Sequence, residues 1–349
     1  MLYKTNNPHG GDIYDTNIIL DFSVNSNPLG TPESVLDGIR ATLEQVRQYP
    51  DPYCRQLVQA VGEMEKVNNE QIICSNGAAE LIYSYCEVIR PKRAVELAPT
   101  FSEYALALKR FDCVPQRYML TQQNNFEVDD GFLSCLEQTK PEVIFLCNPN
   151  NPTGRVIAPS LLEKILCICK DENIRLFVDE CFLDLSDGGE SMKKYLNDYK
   201  GLFILKAFTK SYSMAGIRLG YGLTSDSSLL CKMGNTVQPW NVSLLAQAAG
   251  VIASKEKNFL HEAKRVIGKE RLWLESELKK LGFWVCPSDA NFLLFYGKED
   301  LDIKLMENGI KIRNCSNYLG LKPGWFRIAV RLHKENEKLA DAIKSICER

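Results

Sequence analysis

The chain has 349 residues, of which 45% are hydrophobic and 25% are charged, and its formal net charge is −2 at pH 7. This length supports a large hydrophobic core and predicts two lobes. A charge so close to zero gives no electrostatic basis for nucleic-acid binding, and no run reaches the ~18 apolar residues that a membrane span requires. Because the first residues lack a basic segment followed by an apolar leader, we expect a cytoplasmic protein that does not bind membranes.

Helix-like and strand-like segments alternate along most of the chain. Short apolar runs bounded by turn residues predict strands, and apolar positions recurring every three or four residues predict helices. The predicted helices lie near Glu33–Gln45, Asp51–Val67, Ala78–Val88, Asp129–Glu137 and Pro159–Glu172. Asn241–Leu281 predicts two more helices, the second long and charged. Such alternation indicates an α/β fold with a mostly parallel sheet.

The pattern changes after the long helix, where short strands predominate. Strands are predicted near Phe283–Cys286, Asn291–Tyr296, Ile310–Arg313 and Phe326–Val330, followed by a helix from Lys334. This change suggests a second, smaller α/β lobe. We therefore predict an N-terminal arm over residues 1–30, a large domain over residues 31–250 and a small C-terminal domain over residues 251–349.

The 13 cysteines are odd in number and scattered, and several lie within apolar runs. Cysteine in such surroundings behaves as a small hydrophobic residue. The histidines are too dispersed to form a metal cluster, and no cysteine spacing resembles a metal-ligand motif. We therefore expect neither a disulfide framework nor a metal site.

Three polar side chains follow predicted strands in the large domain. Asn151 lies in the turn after an apolar run, Asp179 ends the next run, and Lys210 follows a third. Such strand ends are where α/β folds place their chemistry. A neutral lysine amine can add to a carbonyl group, and Arg218, eight positions later, can bind a phosphate through a bidentate pair. A lysine for attachment, an acid for a ring nitrogen and an amide for a phenolic oxygen are what pyridoxal 5′-phosphate (PLP) requires of a protein.

The order of Asn151-Pro-Thr-Gly, Asp179-Glu, Lys210 and Arg218 resembles the fold-type I PLP enzymes of the aminotransferase class I/II family. The resemblance extends over nearly the whole chain. It implies a large PLP-binding α/β domain with a smaller C-terminal α/β domain. It also implies that PLP is the cofactor and that Lys210 and Asp179 are the catalytic residues.

The resemblance places further residues around the cofactor. Gly77, Ala78 and Ala79 match the helix start that holds the cofactor phosphate, where backbone N–H groups favour an anion. Either Phe101 or Tyr104 matches the ring that stacks on the pyridine, with Tyr104 preferred.

Three other positions refine this assignment. Tyr49 matches a tyrosine that reaches the phosphate from the neighbouring subunit in relatives, which implies a homodimer with shared active sites. Phe182 stands where many relatives have a tyrosine that donates to the phenolic oxygen. Ala207 stands where relatives often have a phosphate-binding serine, and Thr209 is the candidate to replace it.

Arginines of the second lobe carry information about the substrate. Arg327 and Arg331 are predicted to alternate along one strand and to share a face, and Arg313 ends a neighbouring strand. Three guanidinium groups that converge on a cleft predict a substrate with two anionic groups. In the family, the arginine matching Arg327 binds the substrate α-carboxylate, so the resemblance implies an amino acid substrate.

The N-terminal motifs narrow the resemblance within the family. Pro8-His-Gly-Gly together with Asn27-Pro-Leu-Gly resembles members that decarboxylate L-threonine O-3-phosphate in cobalamin biosynthesis. Histidinol-phosphate aminotransferases share Asn-Pro-Leu-Gly but usually lack His-Gly-Gly. This implies a phosphorylated amino acid substrate. We expect its phosphate to contact His9, Asn27, Arg313 and Arg331, with Asn151 also near the substrate. Serine phosphate differs by one methyl group, which is worth only about 1–3 kcal/mol, and it stays open. The alternatives are a histidinol-phosphate aminotransferase and, in another class, a non-catalytic PLP-binding regulatory module.

Overall fold

The computed structural model describes residues 9–14 and 17–348. Its strands are β1 Leu20–Asp21, β2 Ile72–Ser75, β3 Ala94–Ala98, β4 Gln116–Met119, β5 Val143–Cys147, β6 Arg175–Asp179, β7 Leu202–Ala207, β8 Gly220–Leu223, β9 Trp284–Val285, β10 Phe292–Tyr296, β11 Ile310–Lys311, β12 Arg313–Asn314 and β13 Trp325–Ala329. Its α-helices are α1 Glu33–Thr42, α2 Arg55–Glu65, α3 Ala78–Ile89, α4 Glu103–Lys109, α5 Gly131–Thr139, α6 Pro159–Asp171, α7 Phe208–Ser211, α8 Ser227–Gly234, α9 Leu244–Ala253, α10 Lys257–Lys280, α11 Leu301–Glu307 and α12 His333–Glu348. Within this part of the chain, no helix has both the length and the apolarity needed to cross a bilayer.

A seven-stranded sheet with the order β2-β8-β7-β6-β5-β3-β4 forms the centre of the molecule. Strand β8 runs antiparallel to both neighbours, and all other pairs are parallel. The prediction of a mostly parallel α/β sheet is therefore confirmed. The register pairs Cys147 with Asp179 and Asp179 with Leu205, so the carboxyl ends of β5, β6 and β7 meet at one edge.

The apolar character of these strands follows from their burial on both faces. In β5, Ile144 and Leu146 belong to the hydrophobic cluster on one side of the sheet, and Phe145 and Cys147 to the cluster on the other. Helices cover both faces of a parallel sheet, so its strands contain continuous apolar runs.

A second, antiparallel sheet has the order β12-β13-β10-β9. The predicted strand Ile310–Arg313 is wrong as a single element, because β11 pairs in parallel with β1 and β12 pairs with β13. Ile312 separates the two strands and is buried. Strand β1 is thereby joined to the C-terminal region, and Phe22, which follows it, packs in the hydrophobic cluster of the antiparallel sheet.

Most predicted helices are observed with small changes at their ends. Helix α2 begins at Arg55 instead of Asp51 because the Asp51 carboxylate accepts hydrogen bonds from the backbone N–H groups of Tyr53 and Arg55. The strand that precedes Lys210 ends at Ala207, and Lys210 itself lies in the short helical turn α7.

Candidate active site

A cavity of about 690 Å³ lies at the carboxyl ends of β5, β6 and β7. Side chains from the N-terminal segment, the central sheet and the C-terminal sheet all line it. The predicted site residues on its wall are His9, Ala78, Ala79, Phe101, Asn151, Asp179, Thr209, Lys210, Arg218, Arg313 and Arg327. The structure thus brings together residues that are far apart in the sequence.

Lys210 lies in the α7 turn and has a buried amine. Burial lowers the pKa of Lys210 to about 8, and the nearby charges of Arg327 and Arg218 act in the same direction. Its Nζ lies 5.7 Å from the centre of the Phe182 ring, which supplies no hydrogen-bond acceptor. The neutral form, which can add to a carbonyl group, is therefore far more abundant near neutral pH than for an ordinary lysine with a pKa of ~10.4.

Asp179 ends β6 and is only 5% exposed. Burial raises the pKa of Asp179, while hydrogen bonds from Cys181 and Tyr104 oppose this effect. The Tyr104 hydroxyl donates to Oδ2 at 2.6 Å, and the Cys181 backbone N–H donates to Oδ1 at 2.9 Å. The carboxylate is thus fixed in orientation, and a cation bound opposite it would favour its charged form.

The preference for Tyr104 as the stacking ring does not agree with the structure. Tyr104 is fully buried beneath the cavity, where it stacks on Phe145 and donates to Asp179. Phe101 lies on the cavity wall and meets Tyr104 edge-on, with ring centroids 5.7 Å apart. We therefore propose Phe101 as the stacking ring and assign Tyr104 to the support of Asp179.

The start of α3 forms a recess beside Arg218. Gly77 caps this helix with a φ of +80°, and a Cβ atom placed there would lie 2.4 Å from Nη2 of Arg218. Ala78 and Ala79 follow and line the cavity. The positive end of the helix and the guanidinium group together form a site for an anion.

Arg327 is buried and held from two sides. It donates to Oδ1 of Asn151 and to the backbone oxygen of Ser23, the latter at 2.8 Å. With its amide oxygen turned toward the guanidinium group, Asn25 accepts from Nε at 3.2 Å. The Asn151 oxygen is thus engaged, which leaves its amide nitrogen as a donor to a bound group. Sequence reasoning did not identify Ser23 or Asn25, because their roles depend on contacts with the distant strand β13.

The N-terminal motif Pro8-His-Gly-Gly places His9 at the opening of the cavity. His9 Nε2 lies 2.7 Å from Oε1 of Glu103, and its ring centroid lies 5.6 Å from that of Phe101. Gly10 allows this approach, since a Cβ atom there would lie 2.6 Å from the backbone oxygen of Ser23. Pro8 of the same motif lies outside the described residues.

The expectation that Arg331 faces the cavity is wrong. Strand β13 ends at Ala329, so the predicted alternation with Arg327 does not continue to Arg331. Glu335 on α12 accepts from Nε and Nη2 of Arg331 at 3.0 and 2.9 Å, and the Asp21 backbone oxygen accepts from Nη1. These partners hold Arg331 away from the cavity wall.

Asn27 does not face the cavity either. It donates through Nδ2 to the Ser211 backbone oxygen at 2.8 Å and accepts from the Leu29 backbone N–H at 2.9 Å. Its own backbone N–H donates to the Lys210 carbonyl at 3.0 Å. Asn27 therefore ties the N-terminal segment to the lysine turn, which corrects its expected contact with substrate.

Tyr49 lies outside the cavity. It is 79% exposed and stacks on Trp240 with a centroid distance of 4.5 Å. Its contact with a neighbouring subunit's site stays a prediction.

Known proteins resemble this chain over nearly its whole length. The sequence model for aminotransferase class I and II matches residues 17–345. The chain belongs to the aminotransferase class I and II family. Threonine-phosphate decarboxylase of Salmonella typhimurium is 33% identical, with 98% of this chain and 97% of that protein covered.

Two solved structures share the fold of this family member. The histidinol-phosphate aminotransferase from Clostridium acetobutylicum has a TM-score of 0.88 at 29% identity, covering 95% of this chain and 99% of that one. The L-threonine-O-3-phosphate decarboxylase from Porphyromonas gingivalis has a TM-score of 0.85 at 22% identity, covering 95% and 100%.

Members of the aminotransferase class I and II family depend on PLP, which is therefore the cofactor of this chain. The residues present fit it. Lys210 offers a buried amine of lowered pKa, and Asp179 offers a fixed carboxylate for the ring nitrogen. The recess at Gly77 and Arg218 offers an anion site for the phosphate. When bound, PLP supplies an electron sink for the bond that breaks at the substrate Cα.

We expect the uptake of PLP by the PLP-free protein to depend on pH through Lys210. The amine is protonated and unreactive below its pKa of about 8 and becomes neutral above it. The rate of appearance of the lysine-bound PLP absorbance band should therefore rise as the pH passes through about 8. The Lys210→Ala variant should not develop the band, and an inflection near the ordinary lysine value of ~10.4 would contradict the assigned environment.

The Phe101→Leu substitution should weaken PLP retention because it removes an aromatic contact worth about 1 kcal/mol, or roughly a fivefold change in Kd. Phe101→Trp, which keeps an aromatic face, is the matched control and should retain PLP better than Phe101→Leu. Dialysis followed by fluorescence titration measures both. Equal Kd values for the wild type and Phe101→Leu would show that Phe101 does not stack on the cofactor.

Proposed function

We propose that this family member decarboxylates L-threonine O-3-phosphate and releases (R)-1-aminopropan-2-yl phosphate. The observation that supports a substrate with two anionic groups is the pairing of Arg313 and Arg327. These residues are direct partners across the antiparallel strands β12 and β13, and both line the cavity. Side chains of directly opposed residues project from the same face of a sheet, with Cβ atoms about 4.5–5.5 Å apart.

Two guanidinium groups at this spacing suit a substrate with two anionic groups. Arg327 is buried and firmly held, and we assign it to the α-carboxylate. Arg313 donates to Oδ1 of Asn317 at 2.8 Å and is less buried, and we assign it to the substrate phosphate together with His9 at the mouth. Charge-assisted pairs of arginine with carboxylate or phosphate fix orientation as well as affinity.

The remaining residues then have defined roles in the proposed reaction. Asp179 would stabilise positive charge on the ring nitrogen of bound PLP, and Tyr104 holds the Asp179 carboxylate in place. The bond from Cα to the carboxylate breaks, CO₂ leaves, and the electron pair of that bond remains at Cα. The protonated amine of Lys210 then delivers a proton to Cα and becomes neutral. The contact between Arg313 and the substrate phosphate fixes the rotation about the bond between the amino nitrogen and Cα. This rotation selects the Cα–carboxylate bond for cleavage.

The similarity to the Salmonella typhimurium decarboxylase over 98% of the chain supports this choice. Histidinol-phosphate aminotransferase is the second candidate, since the Clostridium acetobutylicum enzyme of that name has the higher TM-score of the two solved structures described above. The two activities share the arginine pair, because an aminotransferase also binds a dicarboxylate donor. They differ in whether the Cα–carboxylate or the Cα–H bond breaks.

We also propose that the protein is a cytoplasmic homodimer in which Tyr49 reaches the phosphate site of the neighbouring subunit. Tyr49 and Trp240 stack on each other and are both exposed, which suits a contact between subunits.

The deciding experiment supplies the PLP-loaded protein with O-phospho-L-threonine and no keto acid. We expect stoichiometric CO₂ and aminopropanol phosphate, both measured by mass spectrometry, and Lys210→Ala should produce neither. If CO₂ is absent and glutamate forms from histidinol phosphate and 2-oxoglutarate, the protein is the aminotransferase.

The Arg313→Met substitution should lower kcat/KM for O-phospho-L-threonine, because a charge-assisted hydrogen bond to the phosphate is worth about 2 kcal/mol, or roughly 30-fold. Arg331→Met is the matched control, since Arg331 is held by Glu335 away from the cavity, and its kcat/KM should stay close to that of the wild type. Steady-state kinetics measures both variants. A larger loss in Arg331→Met than in Arg313→Met would reverse the two assignments.

A further inference from the structure

A cluster of buried and half-buried charged side chains adjoins the lysine turn. Lys206, the penultimate residue of β7, places its Nζ 2.8 Å from Oε1 of Glu65 and 2.9 Å from Oδ1 of Asp184. The side chains of Lys206 and Glu65 are each only 5% exposed. Glu65 also accepts from Lys193 Nζ and from the Tyr221 hydroxyl, both at 2.6 Å. None of these groups is among the residues that line the cavity.

The cluster connects the two segments that carry the central residues of the site. Asp184 lies in the short 3₁₀ turn Leu183–Leu185, five residues after Asp179. Its second oxygen, Oδ2, accepts from the hydroxyl of Ser211 at 3.2 Å, and Ser211 is the neighbour of Lys210 in α7. The Asp184 carboxylate therefore joins the loop after Asp179 to the turn that holds Lys210. Lys206 forms an ion pair with the same carboxylate.

Glu65 and Lys206 remain ionised in spite of their burial. Burial opposes the charged form of Glu65, yet Lys206 and Lys193 lower the pKa of Glu65 to about 2. Burial likewise opposes the charged form of Lys206, but Asp184 and Glu65 raise the pKa of Lys206 above its ordinary value. The contacts are thus charge-assisted and directional.

Stability alone does not account for such a cluster. Desolvation of buried ions costs several kcal/mol each, and well-packed apolar side chains of similar volume commonly give equal or greater stability. Apolar side chains, however, cannot fix a serine hydroxyl and a carboxylate in one relative orientation. A site whose reacting groups must be held within a fraction of an ångström requires such directional support.

We propose that Asp184 and Ser211, held by Lys206, are positioning residues for Lys210. They fix the α7 turn relative to the loop after Asp179, so that the amine of Lys210 and the carboxylate of Asp179 keep their places on the cavity wall. The inference rests on the proposed assignment of Lys210 as the PLP attachment residue. It is independent of the choice between decarboxylation and transamination.

Lys193 offers a matched control within the same cluster. It pairs with Glu65 at 2.6 Å, but its side chain is 35% exposed, and no hydrogen bond joins it to Asp184 or Ser211 among the described contacts. The Lys193→Met variant therefore removes an ion pair of Glu65 without changing the link to the lysine turn.

The experiment compares Ser211→Ala, Asp184→Asn and Lys193→Met with the wild type in the PLP-loaded form. Three quantities are measured: the unfolding temperature, the pH at which the absorbance band of lysine-bound PLP changes, and kcat on whichever substrate the wild type turns over. Ser211→Ala deletes only one hydroxyl group and is therefore expected to fold.

We expect Ser211→Ala and Asp184→Asn to shift the spectral transition and to lower kcat by roughly tenfold or more, as misplacement of a reacting group does. Lys193→Met should lower the unfolding temperature at most and leave the other two quantities unchanged. If all three variants differ from the wild type only in unfolding temperature, the cluster is structural and the inference is overturned. A wild-type protein without any Lys210-dependent band would instead overturn the attachment assignment on which the inference rests.

Discussion

The whole site depends on a lysine amine being buried next to positive charge. Burial and the guanidinium groups of Arg327 and Arg218 all favour the neutral amine of Lys210. In water the pKa of the same amine is ~10.4, so a far smaller share of it would be neutral near pH 7. Hydrogen bonds hold both arginines in place next to the lysine. Arg327 donates to Ser23 and Asn151, and Arg218 donates to the Ala215 carbonyl. Anionic ligands would then complete the charge balance of the cavity.

Local sequence patterns were sufficient to predict the scaffold. The strands that end at Cys147, Asp179 and Ala207 are apolar runs whose burial on both faces leaves a clear signal. Parallel strands place their carboxyl ends at one edge, so polar residues that follow such runs were expected to meet there. The placement of Asp179 and Lys210 on one cavity wall agrees with this reasoning.

Long-range contacts account for what local patterns could not predict. The Asp179 carboxylate, distant in sequence, accepts a hydrogen bond from the Tyr104 hydroxyl. This contact keeps Tyr104 buried and leaves Phe101 to face the cavity. Arg331 was expected in the cavity because the strand pattern continues through it, but Glu335 of the next helix binds it instead. Asn27 was assigned from motif resemblance, whereas the structure uses its amide to hold the backbone of the lysine turn.

The short parallel pairing of β1 with β11 has a consequence for the order in which the molecule can assemble. Residues 20–21 find their partner strand only at residues 310–311, and Ser23 meets Arg327 beyond that. As the chain leaves the ribosome, the central sheet can form while its N-terminal segment is still without these partners. Contacts between segments so distant in sequence form late because the intervening loop must first close. We therefore expect the part of the cavity wall that Ser23 and Arg327 form to be completed after the scaffold that carries the lysine.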